Sequence, residues 1–253
     1  MIAGWRGQQV LHLDIVDYPG EWLLDLRLMD KDFDQWSNEV FERMQDRPGA
    51  DMFRAALAAT DATRVDETAA QALTDAYTNH LHMTRDAGWS DCTPGRFLMP
   101  GELAGSPALT FTPLPAEMRA GALGREFARR FGAYKSRVVK PFFRDHFARI
   151  DRQVVLMDVL GAIHAGPPAV EDMRRAMADI LTAFRPGRTG WLAQLLGARR
   201  VERILFAATK ADHLHHASHD RLELILRRLT DRAIARASFS GAEVDVKALA
   251  AVR

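Results

Sequence analysis

Residues 153–184 read QVVLMDVLGAIHAGPPAVEDMRRAMADILTAF, and this stretch decides the fold class. Its first seven residues are nearly all apolar and run into Leu160-Gly161-Ala162, the pattern of a short strand covered on both faces and closed by a turn. Past that turn come a proline start, early Glu171 and Asp172, and apolar Val170, Met173, Met177, Ile180, Leu181 and Phe184. These predict an amphipathic helix over 168–184. The design then repeats. Residues 204–209, ILFAAT, form another apolar run ahead of Lys210-Ala211-Asp212. Residues 218–237 follow as a helix with Leu222, Leu224, Ile225, Leu229 and Ile234 mostly on one side. Strand, helix, strand, helix at this spacing predicts a right-handed βαβ arrangement in a parallel sheet.

Toward the N-terminus a third run of strand length, VLHLDIV at 10–16, precedes Asp17-Tyr18-Pro19-Gly20. Between Gly20 and Gln153 lie about 130 residues, far more than one crossover needs. Their signals are helical. Residues 22–44 are periodic in Leu23, Leu26, Met29, Phe33, Trp36, Val40 and Phe41, and 51–60, 67–87, 117–130 and 137–149 also read as helices. Residues 93–102, with Pro107, Pro113 and Pro115 after them, carry too much proline and glycine for anything but irregular loop. The chain therefore divides into an α/β core, residues 1–20 and 150–253, and a helical insertion, residues 21–149.

Composition narrows the class without naming a ligand. With 47% hydrophobic and 26% charged residues the chain is an ordinary globular protein, and a net charge of +1 provides no general field toward nucleic acid or anionic membrane. The basic pairs Arg129-Arg130, Arg199-Arg200 and Arg227-Arg228 are separated and offset by acids, so no nucleic-acid partner is expected. The single Cys92 fits a reducing compartment, and neither a signal-peptide core nor a membrane-length apolar run occurs. These features predict a soluble cytoplasmic protein. The ends carry no polar tails and the first strand-like run starts about ten residues in, which reads as truncation at both ends.

Two motifs carry chemistry. LDIVDYPGEW, residues 13–22, sets Asp17 at the end of an apolar run and Gly20 three residues later, the DxxG arrangement of GTPases. A carboxylate there can hold Mg²⁺ through water, and a residue without a side chain lets its N–H approach a γ-phosphate. FAATKADHL, residues 206–214, sets Lys210 and Asp212 after another apolar run, as in the [NT]KxD element that reads guanine. The aspartate accepts from N1–H and the exocyclic amine, the lysine stem packs over the ring, and adenine offers no matching donors. Thr209 stands where Asn is commoner, which weakens the loop brace. Taken singly, each motif also reads as a solvated turn. Their order, with a strand between them, favours a shared site.

Four segments extend the resemblance: residues 11–26, LHLDIVDYPGEWLLDL; 93–107, TPGRFLMPGELAGSP; 152–167, RQVVLMDVLGAIHAGP; and 206–216, FAATKADHLHH. In sequence and order they are similar to the YcjX family of Ras-like P-loop GTPases. The resemblance implies a Ras-like parallel sheet with an enlarged helical part, GTP or GDP as ligand, Mg²⁺ as cofactor, GTP hydrolysis, and a loose association with stress response. It also implies backbone contacts to the base from Ala251 and Val252. The family's GxxxxGK[ST] phosphate loop occurs nowhere in the 253 residues, so the chain as written is expected to bind nucleotide weakly or not at all, and the full-length parent well. Glu21 stands where many GTPases place a water-orienting Gln, and its charge beside a γ-phosphate predicts slow hydrolysis.

Other residues have two readings each. Arg96 is either an arginine that reaches the phosphates in cis, hence a catalytic candidate with Gly20 and Glu21, or a side chain pinning its loop to a helix end. His213 flanks the bound base, while the irregular spacing of His213, His215, His216 and His219 argues against zinc. Asp14 and Asp158 fall in the strand runs, where one of them can face the site. Trp22, Trp36, Phe33 and Phe41 read as core or interface. The functional alternative to a GTPase is a nucleotide-free interaction scaffold built on the same shell.

Overall fold

The computed structural model describes residues 12–145, 150–183, 201–239 and 242–251. In chain order come α1 (Glu21–Leu24), continued by a 3₁₀ turn at Asp25–Leu28, then α2 (Phe33–Arg43), α3 (Ala50–Ala58), α4 (Glu67–Asp86), the short α5 (Gly95–Leu98) and α6 (Ala116–Arg119). Next are α7 (Ala122–Tyr134), running through a π turn at Lys135–Val139 into α8 (Lys140–Asp145), and β1 (Arg152–Met157). The rest is α9 (Val159–Ala165), α10 (Pro167–Ala183), β2 (Arg203–Ala208), α11 (His219–Leu229), α12 (Asp231–Phe239) and β3 (Glu243–Ala248). The fold is α/β and mostly helical, and the described residues include three parallel strands in the order β1-β2-β3. The register pairs Met157 with Ala208 and Ala208 with Ala248, so all three strands end at one edge. At that edge an open parallel sheet presents loops to ligands.

Several sequence expectations are corrected. Residues 12–18 form no strand, and Val10 and Leu11 lie outside the described residues. A strand exists only when a neighbour takes its N–H and C=O groups; here Leu13 and Ile15 remain 74% and 81% exposed. Coverage on both faces holds best for the central β2. On β1, burial alternates, leaving Val154 54% and Leu156 63% exposed. The turn expected at Leu160-Gly161-Ala162 lies inside α9, which Asp158 caps by accepting from Gly161 N at 2.9 Å. The helix expected over 22–44 is broken, because Asp32 accepts from Gln35 N and Gln35 Oε1 accepts from Asp32 N, a capping box that restarts the chain as α2. The helix over 218–237 also breaks, at Thr230, and short helical turns interrupt the loop of 93–109. β3 was not anticipated.

Buried apolar residues form two clusters. One lies among α1 to α8 and holds Trp36, stacked on Phe131 at 4.9 Å and set edge-on to Phe111 and Tyr77. The other lies about the sheet under α9 to α12. Helix α10 serves both: Ala176 and Ile180 belong to the first, Met173 to the second. An ionic network joins the two sides. Arg47 pairs with Asp172 of α10, whose other oxygen accepts from Ser90 N at 2.9 Å and Asp91 N at 2.8 Å. Arg27, Arg43 and Arg47 surround Asp91; burial alone would raise its carboxyl, but these cations hold it well below the usual range.

Candidate functional site

A cleft of about 450 Å³ opens beside the carboxyl end of β1. Asp17, Gly20 and Glu21 line one side, Val154, Leu156 and Asp158 the other, and Arg85 reaches it from α4. The turn at 17–20 is held by Tyr18, which accepts from Gln153 Nε2 at 3.3 Å and packs edge-on to Phe142 at 5.8 Å. Burial, with Asp17's charge adding and the Gln153 bond opposing, pushes the Tyr18 hydroxyl up to about 12. Asp17 itself is exposed at the mouth.

Gly20 has φ −58°, open to any residue, and a Cβ built there would meet nothing within 4 Å. Neither the backbone nor the packing of the described residues therefore requires glycine. The next turn is tightly fixed. Gly95 N donates to Asp25 at 2.8 Å, and Tyr134 Oη donates to its other oxygen at 2.6 Å. A Cβ on Gly95 would sit 1.8 Å from Glu21 O, so only glycine permits this approach. Burial raises the Asp25 carboxyl to about 6 despite those two bonds.

The second motif occupies the same sheet edge. Thr209 closes β2 by donating from N at 3.0 Å and from Oγ1 at 3.3 Å to Met157 O, so this residue does brace the loop. Lys210 adopts φ 61° and donates to Asp158 Oδ2 at 2.5 Å. Burial works to raise the Asp158 carboxyl, but the Lys210 bond, the Gly161 N–H and Lys210's charge outweigh it and lower its pKa. Asp212 accepts from Ala251 N at 3.1 Å, while Ala211 N donates to Leu249 O at 3.1 Å, so the loop after β3 is laced to the Lys210–Asp212 turn. The Ala251 N–H and Asp212's own N–H hold that carboxyl low. Val252 lies outside the described residues.

Thus Asp17, Gly20, Glu21 and Asp158 share the cleft, Lys210 reaches its rim through Asp158, and Asp212 with Ala251 stands at the neighbouring strand ends. Arg96 is placed elsewhere, its guanidinium 3.2 Å from the Trp22 ring centroid and absent from the cleft wall. That contact, with Trp22 Nε1 donating to Met99 O at 2.9 Å, pins the 93–99 loop to α1. His219 bonds Ala211 O at 2.8 Å, His215 accepts from Ala217 N, and exposed His213 sits 4.0 Å from Asp212. Among the described residues no group of three or more His, Cys, Asp or Glu is placed to hold a metal by itself. A hard cation held mainly through water and phosphate oxygens needs as few as one carboxylate from the protein. Sequence reasoning missed Arg85, Tyr18 and the Asp158–Lys210 pair. No helix among the described residues is long and apolar enough to cross a membrane.

Comparison with known proteins adds the family. The sequence matches the family described as YcjX-like family, DUF463, over residues 1–253. The Ras-like GTPase YcjX of Escherichia coli (strain K12) is 35% identical over 275 residues, covering 100% of this chain and 57% of that protein. The Ras-like GTPase YcjX of Shewanella oneidensis is 34% identical over 268 residues, covering 100% of this chain and 55% of that protein. The chain spans about half the length of these relatives.

Proposed function

The chain belongs to the YcjX-like family, and from that premise we propose that it is the phosphate-sensing and guanine-reading part of a GTPase that binds GTP or GDP with Mg²⁺. Residues 1–20 and 150–253 act as the nucleotide-binding core and 21–149 as a helical insertion. The observation that carries this reading is the convergence of two loops at one sheet edge: the turn ending in Gly20 faces the cleft that Asp158 lines, and Asp158 holds Lys210 of the second loop.

In the proposed complex Gly20 N–H meets the terminal phosphate, which the open space at its Cα permits. Mg²⁺, held by Asp17 through water, neutralises phosphate charge. Asp212 accepts from N1–H and the exocyclic amine of guanine, the Lys210 stem covers the ring while Asp158 keeps its ammonium at the rim, and Ala251 N–H turns to the base. Thr209 and His219 fix that loop. His213 and Val252 flank the base. Binding of this kind needs a GxxxxGK[ST] phosphate loop, which occurs nowhere in these 253 residues, so by themselves they are proposed to bind nucleotide weakly.

Calorimetry on the full-length gene product tests this. GDP is expected to bind and ADP not, and Asp212→Ala to erase the difference. Equal affinity for the two bases would defeat the assignment of Lys210 and Asp212.

A further inference from the structure

The helical insertion delivers a guanidinium to the cleft. Arg85 stands in the last turn of α4, with Nη1 3.9 Å from Glu21 Oε1, and both line the cleft next to Gly20. Among the described residues its guanidinium donates hydrogen bonds to its chain neighbour Asp86 alone, so no distant hydrogen-bond partner holds it away from the cleft. The backbone that carries it is anchored. Directly after α4, Gly88 adopts φ +87°, and a Cβ there would meet the Ala165 side chain at 2.8 Å, so the helix end seats against α9. Two residues on, Ser90 N and Asp91 N bond to Asp172 of α10. Trp89 between them packs under Arg47, whose guanidinium carbon is 4.9 Å from the ring. Two core helices therefore set where Arg85 sits.

Resting on the nucleotide reading above, we propose that Arg85 is a catalytic residue: it offsets the charge of Glu21 and contacts the γ-phosphoryl group during hydrolysis. The chemistry supplies the reason. A water oxygen bonds to the γ-phosphorus, the bond to the β,γ-bridging oxygen breaks with its electron pair leaving on GDP, and the water proton ends on phosphate. A bare carboxylate beside that centre opposes the charge spreading over the equatorial oxygens. A guanidinium paired to the carboxylate removes the opposition, leaves Glu21 to orient water, and presents planar N–H donors to phosphate oxygens. Arg96, committed to the Trp22 face, is not placed to do this.

The test is single-turnover GTP hydrolysis by the full-length gene product, with GDP affinity and thermal melting measured alongside. Arg85→Ala is expected to slow hydrolysis on the order of 10²- to 10³-fold while GDP affinity changes less than about threefold. Arg85→Lys, which keeps charge without the planar fork, should recover only part of the rate and serves if the alanine variant misfolds. Adding Glu21→Gln to Arg85→Ala should restore some but not all of the loss. Hydrolysis by Arg85→Ala within threefold of wild type, or full restoration by Glu21→Gln, overturns the phosphate contact while leaving guanine binding intact. Failure of the wild type to bind GDP overturns the nucleotide reading and this inference with it.

Discussion

Replacing Asp25 by asparagine should change how stability depends on pH. Asp25 is fully buried between the Tyr134 hydroxyl and the Gly95 N–H, and burial lifts its carboxyl from 3.8 to about 6. Because the folded value is raised, Asp25 contributes stability that is fully present below pH 3.8 and lost as pH rises through about 6. The difference, 6 − 3.8 = 2.2, corresponds to about 3 kcal/mol across that window. An asparagine in its place keeps the shape, still accepts from Gly95 N and donates to the Tyr134 oxygen, but has no proton to lose. In urea titrations followed by tryptophan fluorescence, the stability of Asp25→Asn relative to wild type should therefore rise by about 2 kcal/mol between pH 4 and pH 7, part of the full effect lying below pH 4. A flat difference across that range would show that the carboxyl is not desolvated, and would refute the burial of Asp25 between the Tyr134 hydroxyl and the Gly95 N–H.

Two further substitutions probe the site and the network beneath it. Gly20→Ala, at φ −58° with open space around its Cα, should leave the melting temperature within a degree or two yet weaken binding of a GTP analogue more than of GDP in the full-length gene product; equal losses would mean that Gly20 does not meet the terminal phosphate. Arg47→Ala strips a buried partner from Asp172 and should cost about 3–5 kcal/mol in urea unfolding. A cost below about 1 kcal/mol would show the network to be screened by water.

What the sequence revealed depended on how local the cause was. β1 and β2 were legible because unbroken apolar runs followed by amphipathic helices are local patterns. β3 was not, since Glu243, Asp245 and Lys247 alternate with apolar residues and only Val246 is buried, so an edge strand looks like a polar loop. The run at 10–16 has strand composition, but pairing is decided by neighbours that composition does not show. The break before α2 was readable in Asp32 and Gln35, whose spacing is a capping box; helical periodicity on either side obscured it. At the candidate site the motif residues were visible as short words. Arg85 and Tyr18 were not, because what places them is packing between segments: Gly88 against Ala165, and Tyr18 against Phe142 and Gln153.

Helix α10 also limits how this protein can be taken apart. With Ala176 and Ile180 turned to one apolar cluster and Met173 to the other, the rod has little spare surface, and its Asp172 is spoken for by Arg47. Excising residues 21–149 would uncover one flank of a helix the sheet still requires, leaving a bare apolar stripe in water. Helix α10 is thus a wall shared by two rooms, and neither can be remodelled without rebuilding it.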